Sequence, residues 1–346
     1  MDLKAAIKLA VRFAERESKK PTHGAVAQSS LLRQYVRFIP AGETEPAKLC
    51  AQNPRCGVIA FLDCDVPNTL VAAELLEKVV KEAKYGVEIV TGEYGEVVLK
   101  SGSAFWRVPP DGVPQLAWFP EVPSMPSEFR AIEGEVIDQV VHAASRDESQ
   151  PALQTLHFTD GCVEATDKAR FARAAISGQW RGLLPVELFQ KLPKGDLRAA
   201  FTLRLAYLRC EDEVRFAPYV ALPYPECRAL VPVEHVGPQA IASVEALTRA
   251  AKQALAVSET GSVTLGFDGP RLVVSTWQKD KEPKLFEATV GIHGEGEGQV
   301  LVSGKNLVAA LKSMVTPSVR LRYNQPMDPL RLESAGYVEV LWPMLA

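Results

Sequence analysis

The residue types that most often hold transition metals are six cysteines (Cys50, Cys56, Cys64, Cys162, Cys210, Cys227) and five histidines (His23, His142, His157, His235, His293). No CxxC pair occurs, and no histidine stands at ligand spacing from a cysteine. Neither a zinc site nor a disulfide framework is implied, and the expectation is buried free thiols in a reducing compartment. Phosphate-cradling loops fail on inspection. Val302-Ser-Gly-Lys-Asn lacks the first glycine and the Ser/Thr of a P-loop, and Gly294-Glu-Gly-Glu-Gly298 carries carboxylates that repel phosphate. HExxH, GxSxG and GxGxxG after a strand are absent. The weight moves from an enzyme to a binding protein, with no metal and no cofactor.

The chemistry that the spacing does support is phosphate contact. Lys4, Lys8, Arg12, Arg16 and Lys20 recur every four residues. On a helix each step drifts about 40°, which gives a cationic band opposite the apolar Leu3, Ile7, Ala10 and Ala14. Further cations fall on later helical segments: Lys78, Lys81 and Lys84, then Arg249 and Lys252, then Lys305 and Lys312. Pooled on one surface they would bind nucleic-acid phosphates without reading bases. Taken singly, each is also what a solvated helix face looks like. The formal net charge of -3 over 346 residues requires any such surface to be local.

The elements that must position these residues repeat. Three segments follow one plan: an apolar-periodic helix, a strand, a polar turn and two further strands. They run from Val71 to Pro109, from Leu184 to Pro223 and from Val302 to Pro343, with Leu75, Leu188 and Leu307 in equivalent places. Another helical stretch precedes each, at Leu3–Glu17, Ile132–Ala144 and Ala240–Ala256. Asp268-Gly269 marks a hairpin within Val263–Thr276. Proline-rich connectors near 120–126 and 232–238 separate the copies, giving domains 1–122, 123–234 and 235–346. The fold class is α+β, with two helices packed on antiparallel sheets in each domain. No run of about 18 apolar residues occurs, and no signal peptide is read at the N-terminus, so a soluble cytoplasmic protein is expected.

Two segments carry a family resemblance. Thr155–Ile176, with Ala165-Thr-Asp-Lys-Ala-Arg-Phe-Ala172 at its centre, resembles the ATDGHRLA segment of the bacterial DNA polymerase III beta sliding clamps. The terminus Tyr337–Ala346 is similar to that family's closing strand and MPM-type tail. Lys20-Pro-Thr22, Tyr224-Pro-Glu-Cys-Arg228 and Val231-Pro232 match further landmarks in order, and the likeness spans nearly the whole chain apart from 33–65. The resemblance implies three repeated clamp domains per subunit and two subunits closing head to tail into a ring. Helices line the hole, and double-stranded DNA passes through it. Such a processivity factor tethers a DNA polymerase and a clamp loader through short peptide motifs.

The helix cations read above give the expected DNA-binding residues, Lys4, Lys8, Arg12, Arg16, Lys20, Lys78, Lys81, Arg249 and Lys312. Carried over by motif, the partner-peptide groove between the second and third domains has walls from Leu153, Thr166, Arg170, Phe171, Pro225, Leu230, Val340, Leu341, Pro343 and Met344. The subunit interface involves Phe105 and Arg107 on one edge, with Lys252, Ala254 and Leu255 on the other. The chain departs from the family pattern at Lys168 and Ala169 (glycine and histidine), Phe171 (leucine), Ala229 (arginine), Trp342 (methionine) and Lys252-Gln253 (an apolar pair). The alternative reading is a clamp-fold regulator or decoy that binds replication proteins without encircling DNA. A third is an α+β enzyme whose site one sequence does not reveal.

Overall fold

The structure, a computed structural model, describes residues 1–14, 34–110, 114–116, 119–159, 161–193, 195–231, 236–276, 285–325 and 327–344, without the side chain of Leu230. One plan of elements recurs three times. The first copy runs α1 (Leu3–Ala10), β1 (Tyr35–Ile39), β2 (Lys48–Gln52), β3 (Gly57–Phe61), β4 (Thr69–Ala72), α2 (Ala73–Glu82), β5 (Glu88–Thr91), β6 (Val97–Ser101), β7 (Ala104–Val108). The second runs β8 (Arg130–Ala131), α3 (Gly134–Val141), β9 (Thr155–Thr159), β10 (Cys162–Thr166), β11 (Arg170–Ala175), β12 (Gly182–Pro185), a 3₁₀ turn (Val186–Phe189), β13 (Leu197–Phe201), β14 (Leu205–Cys210), β15 (Glu213–Pro218). The third follows a 3₁₀ turn at Cys227–Leu230 and runs β16 (Gln239–Ser243), α4 (Val244–Val257), β17 (Ser262–Asp268), β18 (Arg271–Ser275), β19 (Glu287–Glu295), β20 (Glu297–Ser303), α5 (Gly304–Ser313), β21 (Ser318–Arg322), β22 (Leu330–Ser334), β23 (Tyr337–Leu341).

Two compact units result: 1–132 with 190–219, and 133–189 with 220–346. The first holds an eight-stranded sheet ordered β4-β1-β2-β3-β15-β14-β13-β8 and the three-stranded sheet β5-β6-β7. The second holds a twelve-stranded sheet ordered β12-β9-β10-β11-β23-β22-β21-β16-β19-β18-β17-β20. The middle copy contributes strands to both. All described pairings are antiparallel, as hairpin-linked strands allow.

Local sequence accounts for the elements. Asp2 caps α1, its Oδ1 accepting from Lys4 N at 2.9 Å and Ala5 N at 3.3 Å, an arrangement worth about 1 kcal/mol. Leu3, Ala6, Ile7, Leu9 and Ala10 face inward, and α1 packs on β2, β3 and α2. Ser243 and Ser303 cap α4 and α5 with their hydroxyls. Gly269, at φ +54°, makes the hairpin turn read from Asp268-Gly269.

Several expectations shift. Periodicity predicts helix from Ala240, but Ala240–Ser243 belongs to β16, because its alternating burial suits a sheet and Ser243 starts the helix behind it. The second helix of the middle copy is a single 3₁₀ turn, bounded by Pro185 and by Lys191 at φ +51°. Leu76, fully buried, takes the place of Leu307, while Leu75 is half-buried. Within the glycine-acid run, β19 extends to Glu295 and Gly296, at φ +87°, turns the chain into β20.

Gly57 begins β3 beneath Phe216, and an added Cβ would lie 2.3 Å from the ring's Cζ and 2.8 Å from Gln52 Cβ. Gly57→Ala should lower stability by about 1–3 kcal/mol, read as a fall in urea midpoint with unchanged slope. Wild-type stability in that variant would show that the ring is free to move aside.

Candidate nucleic-acid and partner-peptide surfaces

The cationic helices split by unit. In the first, Lys8 is exposed on α1, and Lys78 and Lys81 are exposed on the adjacent α2. Lys78 also pairs with Glu74, four residues back, as a weak surface bridge. Lys4 is half-buried and donates to Ala83 O, so it ties α1 to the end of α2. Arg12 is exposed but donates to Gln190 O at 3.2 Å. Burial and the neighbouring Arg215 lower its pKa, with Glu213 opposing. Arg16 and Lys20 lie outside the described residues.

Arg215 explains the position of Arg12. Its side chain is 1% exposed and pairs with Glu213 at 2.8 Å. It donates to Gln190 O at 2.8 Å and Lys191 O at 3.1 Å, and its guanidinium carbon lies 5.5 Å from the Phe13 ring centroid. Two guanidiniums thus share one carbonyl beside a single carboxylate, which fixes the last described turn of α1. In the second unit, Arg249 and Lys252 on α4 and Lys305 and Lys312 on α5 are exposed, and the two helices pack together. Arg249 pairs with Glu245 at 3.2 Å. The helix α3 is acidic, and burial with the nearby Glu135 raises the Asp138 carboxyl.

The groove residues separate by strand alternation. Thr166, Phe171 and Val340 are register partners and share one sheet face. Arg170 and Leu341 pair with each other on the opposite face, where Arg170 donates to His142 O at the end of α3 and holds Asp167 at 3.0 Å. The two sets thus leave the sheet on opposite faces, Arg170 at the start of β11 and Leu341 at the end of β23. Leu153, Thr166, Phe171, Val340 and Leu341 are all buried, so they supply packed floor rather than free surface. Phe171 and Val340 cluster with Cys227, and Val231, Val338 and Trp342 pack over them. Pro225 and Met344 are exposed and Pro343 is half-buried, while the Leu230 side chain lies outside the described residues. Trp342 N donates to Ala169 O at 3.1 Å and Met344 N to Leu301 O at 2.8 Å, which seats the tail.

One neighbouring group has no signature in the sequence. Glu164, on the face of Phe171, is 3% exposed and accepts from His157 Nδ1 at 3.3 Å and from Arg228 Nε. Arg173 Nε lies 3.5 Å from the same oxygen that Arg228 holds. The Tyr224 ring stacks on His157 with centroids 4.6 Å apart. Burial raises the Glu164 carboxyl, and the hydrogen bonds from His157 and Arg228 outweigh it, leaving the pKa below the ordinary carboxylate range. The connector Tyr224–Arg228 is thereby fastened to the sheet. The opposite face has its own buried carboxylate: Glu339 meets His142 Nε2 at 3.1 Å and accepts from Tyr337, and Ser313 Oγ lies 3.1 Å from His142 Nδ1. No sequence pattern links these partners, which lie up to 197 residues apart.

At the expected subunit edges, Phe105 is 59% exposed on β7 and Arg107 is exposed beside it, its guanidinium 5.0 Å from the Phe105 ring centroid. Ala254 is fully buried, and Leu255 is half-buried and reaches Gly304 at the start of α5. These two face their own domain and do not replace the missing apolar pair, because helical periodicity leaves Lys252 and Gln253 outside. Among the described residues, no group of three or more metal-ligating side chains gathers, and no helix is long and apolar enough to cross a membrane. All six cysteines are free, five of them buried, and burial pushes the Cys50 thiol up to about 12.

Neither a protein-family model nor a curated protein matches the chain. Solved structures do. A DNA polymerase III beta subunit from Thermotoga maritima superposes with a TM-score of 0.77 at 18% identity, over 100% of this chain and 97% of that one. A DNA polymerase sliding clamp from Bacillus subtilis gives 0.81 at 15%, over 99% and 97%. A sliding clamp from Bartonella birtlesii bound to griselimycin gives 0.78 at 16%, over 99% and 97%. The chain has the beta sliding-clamp fold along its whole length.

Glu164 gives a stability test. A carboxyl with a depressed pKa contributes stability above the ordinary carboxylate pKa and loses it as pH falls through the depressed value. Glu164→Gln should cost about 1–3 kcal/mol at neutral pH. The gap to wild type should close as pH drops below the ordinary carboxylate range, followed by urea midpoint against pH. A gap that stays constant down to the acid limit would show that the charge contributes nothing.

Proposed function

We propose that the chain is a DNA sliding clamp with domains at 1–122, 123–234 and 235–346. Two copies join head to tail around duplex DNA, the helix cations contact phosphates, and partner proteins such as a polymerase dock a short segment beside Trp342. It catalyses nothing, holds no cofactor and works in the cytoplasm. Beyond the fold, one observation carries this reading: a strand junction used twice, with one further pair of edges left open.

The first junction pairs β3 with β15, and the second pairs β11 with β23. In each, the third strand after the first helix of one repeat meets the last strand of the next. The registers agree: Gly57 opposite Phe216 corresponds to Phe171 opposite Val340, each the fourth residue of its closing strand. Continued once more, the rule brings the third strand after the first helix of the last repeat, β19, to the last strand of the first, β7. Neither the outer edge of β7 nor that of Glu287–Gly291 has a strand partner among the described residues. The same register sets Phe105 opposite Thr289 and Arg107 opposite Glu287, a pair of opposite charge. Such a head-to-tail contact has to close or it polymerises, and closure also removes the exposed edges. The interface moves accordingly from Ala254 and Leu255 to β19.

Two measurements test the proposal. Phe105→Cys with Thr289→Cys should oxidise to a covalently closed two-subunit species, and neither single variant should. A wild-type protein that remains monomeric by light scattering at every workable concentration would sink the assembly. Lys8→Glu with Lys78→Glu and Lys81→Glu should shorten retention on nicked circular DNA, and the salt slope should fall by about one for each phosphate no longer neutralised. A closed ring whose retention on DNA ignores those changes would favour the decoy reading.

A further inference from the structure

The connector between the first two repeats carries a proline at every third position: Pro120, Pro123 and Pro126. Its burial has the same period. Phe119 is buried, Pro120, Val122, Pro123 and Pro126 are half-buried, and Glu121, Ser124 and Ser127 are exposed. A period of three is that of the polyproline II helix, whose backbone makes no hydrogen bonds with itself. Residues 120–126 accordingly belong to no helix or strand. The sheet face under this strap is apolar: Ile59, Leu70, Tyr207, Val214 and Phe216 cluster with Phe119, and Val122 packs against them. The Tyr207 hydroxyl donates to Ser124 O at 3.1 Å, and the Arg37 guanidinium carbon lies 6.0 Å from the Phe119 ring centroid. Aromatic side chains under an extended proline-rich segment are how grooves recognise polyproline II ligands, whose free carbonyls are open to a side-chain donor. The corresponding face of the second junction differs. Register equates Cys50 with Glu164 and Ile59 with Arg173, so charge stands there where the first junction is apolar. The first face therefore favours an apolar, proline-rich occupant.

We propose that the face of the β3–β15 junction is a docking surface for proline-rich segments, held closed in cis by the strap of residues 119–126. The strap shows the chemistry that the surface accepts: an aromatic anchor followed by proline, then an aliphatic residue followed by proline three places on. Phe119, 5% exposed, is the anchor. A tethered strap competes at an effective concentration on the order of millimolar. A partner segment therefore gains the surface when it binds more tightly than the strap or when the Phe119 anchor is lifted. The surface lies wholly within the first compact unit, and its use requires neither ring closure nor DNA.

The probe is a fluorescein-labelled peptide with the sequence of residues 119–126, titrated by anisotropy into the full-length protein. The Phe119→Ala protein, freed of its own anchor, should bind the peptide about tenfold more tightly than the wild type, with Phe119→Leu in between. A peptide with alanine in place of its phenylalanine, or of its first two prolines, should lose about tenfold on the Phe119→Ala protein. Adding Tyr207→Phe to that protein should weaken binding about fivefold by removing one hydrogen-bond donor. Circular dichroism reports which variants are folded, and Phe119→Leu, which keeps apolar bulk, carries the test if Phe119→Ala does not fold. Equal affinity of the wild type and the Phe119 variants overturns the proposal, as does a folded Phe119→Ala protein that takes no peptide. Full retention of the peptide without its first two prolines shows a surface that does not select polyproline II and overturns it as well.

Discussion

Backbone hydrogen bonding at sheet edges is the constraint on which the rest depends. A strand at the end of a sheet exposes a row of unpaired N–H and C=O groups, and proteins cover, twist or pair such rows. Here β3 is covered by β15 and β11 by β23, each time across a boundary between repeats. The middle copy is thereby pulled in two directions, with its later strands in one compact unit and its earlier strands in the other. Groups at the junctions then inherit their places: Trp342 continues the β11–β23 ladder, and Arg215 is buried because it sits in the strand that meets β3.

Burying charge at such junctions is costly unless every charge has a partner. The chain meets this condition locally. Arg215 has Glu213 and two carbonyls, Glu164 has His157 and two arginines, and Glu339 has His142 and Tyr337. The net stabilisation from a buried ion pair is small. A buried pair does penalise misplacement, since a shift of one residue would strand a charge on the wrong face. Register is specified by charge as well as by apolar patterning.

Much of this is legible in the sequence. Hairpin turns, the Leu3–Ala10 face and the threefold spacing of helix then strands all follow from short-range periodicity. Ala240–Ser243 misleads because small apolar residues fit helix and strand alike, and only their place between β19 and β21 decides. The two faces of the expected groove wall are hidden for a related reason. Motif matching carries consecutive residues together, whereas a strand sends Arg170 and Phe171 to opposite faces. Glu164 is invisible in the sequence because its partners His157, Arg173 and Arg228 come from three segments that only the folded sheet and connector bring together.

The β11–β23 junction is built from main-chain atoms, and that has a consequence for which substitutions the fold tolerates. A backbone ladder is indifferent to most side chains, so ordinary substitutions along it pass almost unpunished. Proline, which removes a donor, and a one-residue insertion, which would turn Glu339 toward Phe171 and Val340 toward the helix, would be purged. Side-chain identity is therefore a weak constraint on the fold, and the Bacillus subtilis clamp superposes at a TM-score of 0.81 with 15% identity. The fold of such a molecule is written in where its strands start and stop more than in the letters that fill them.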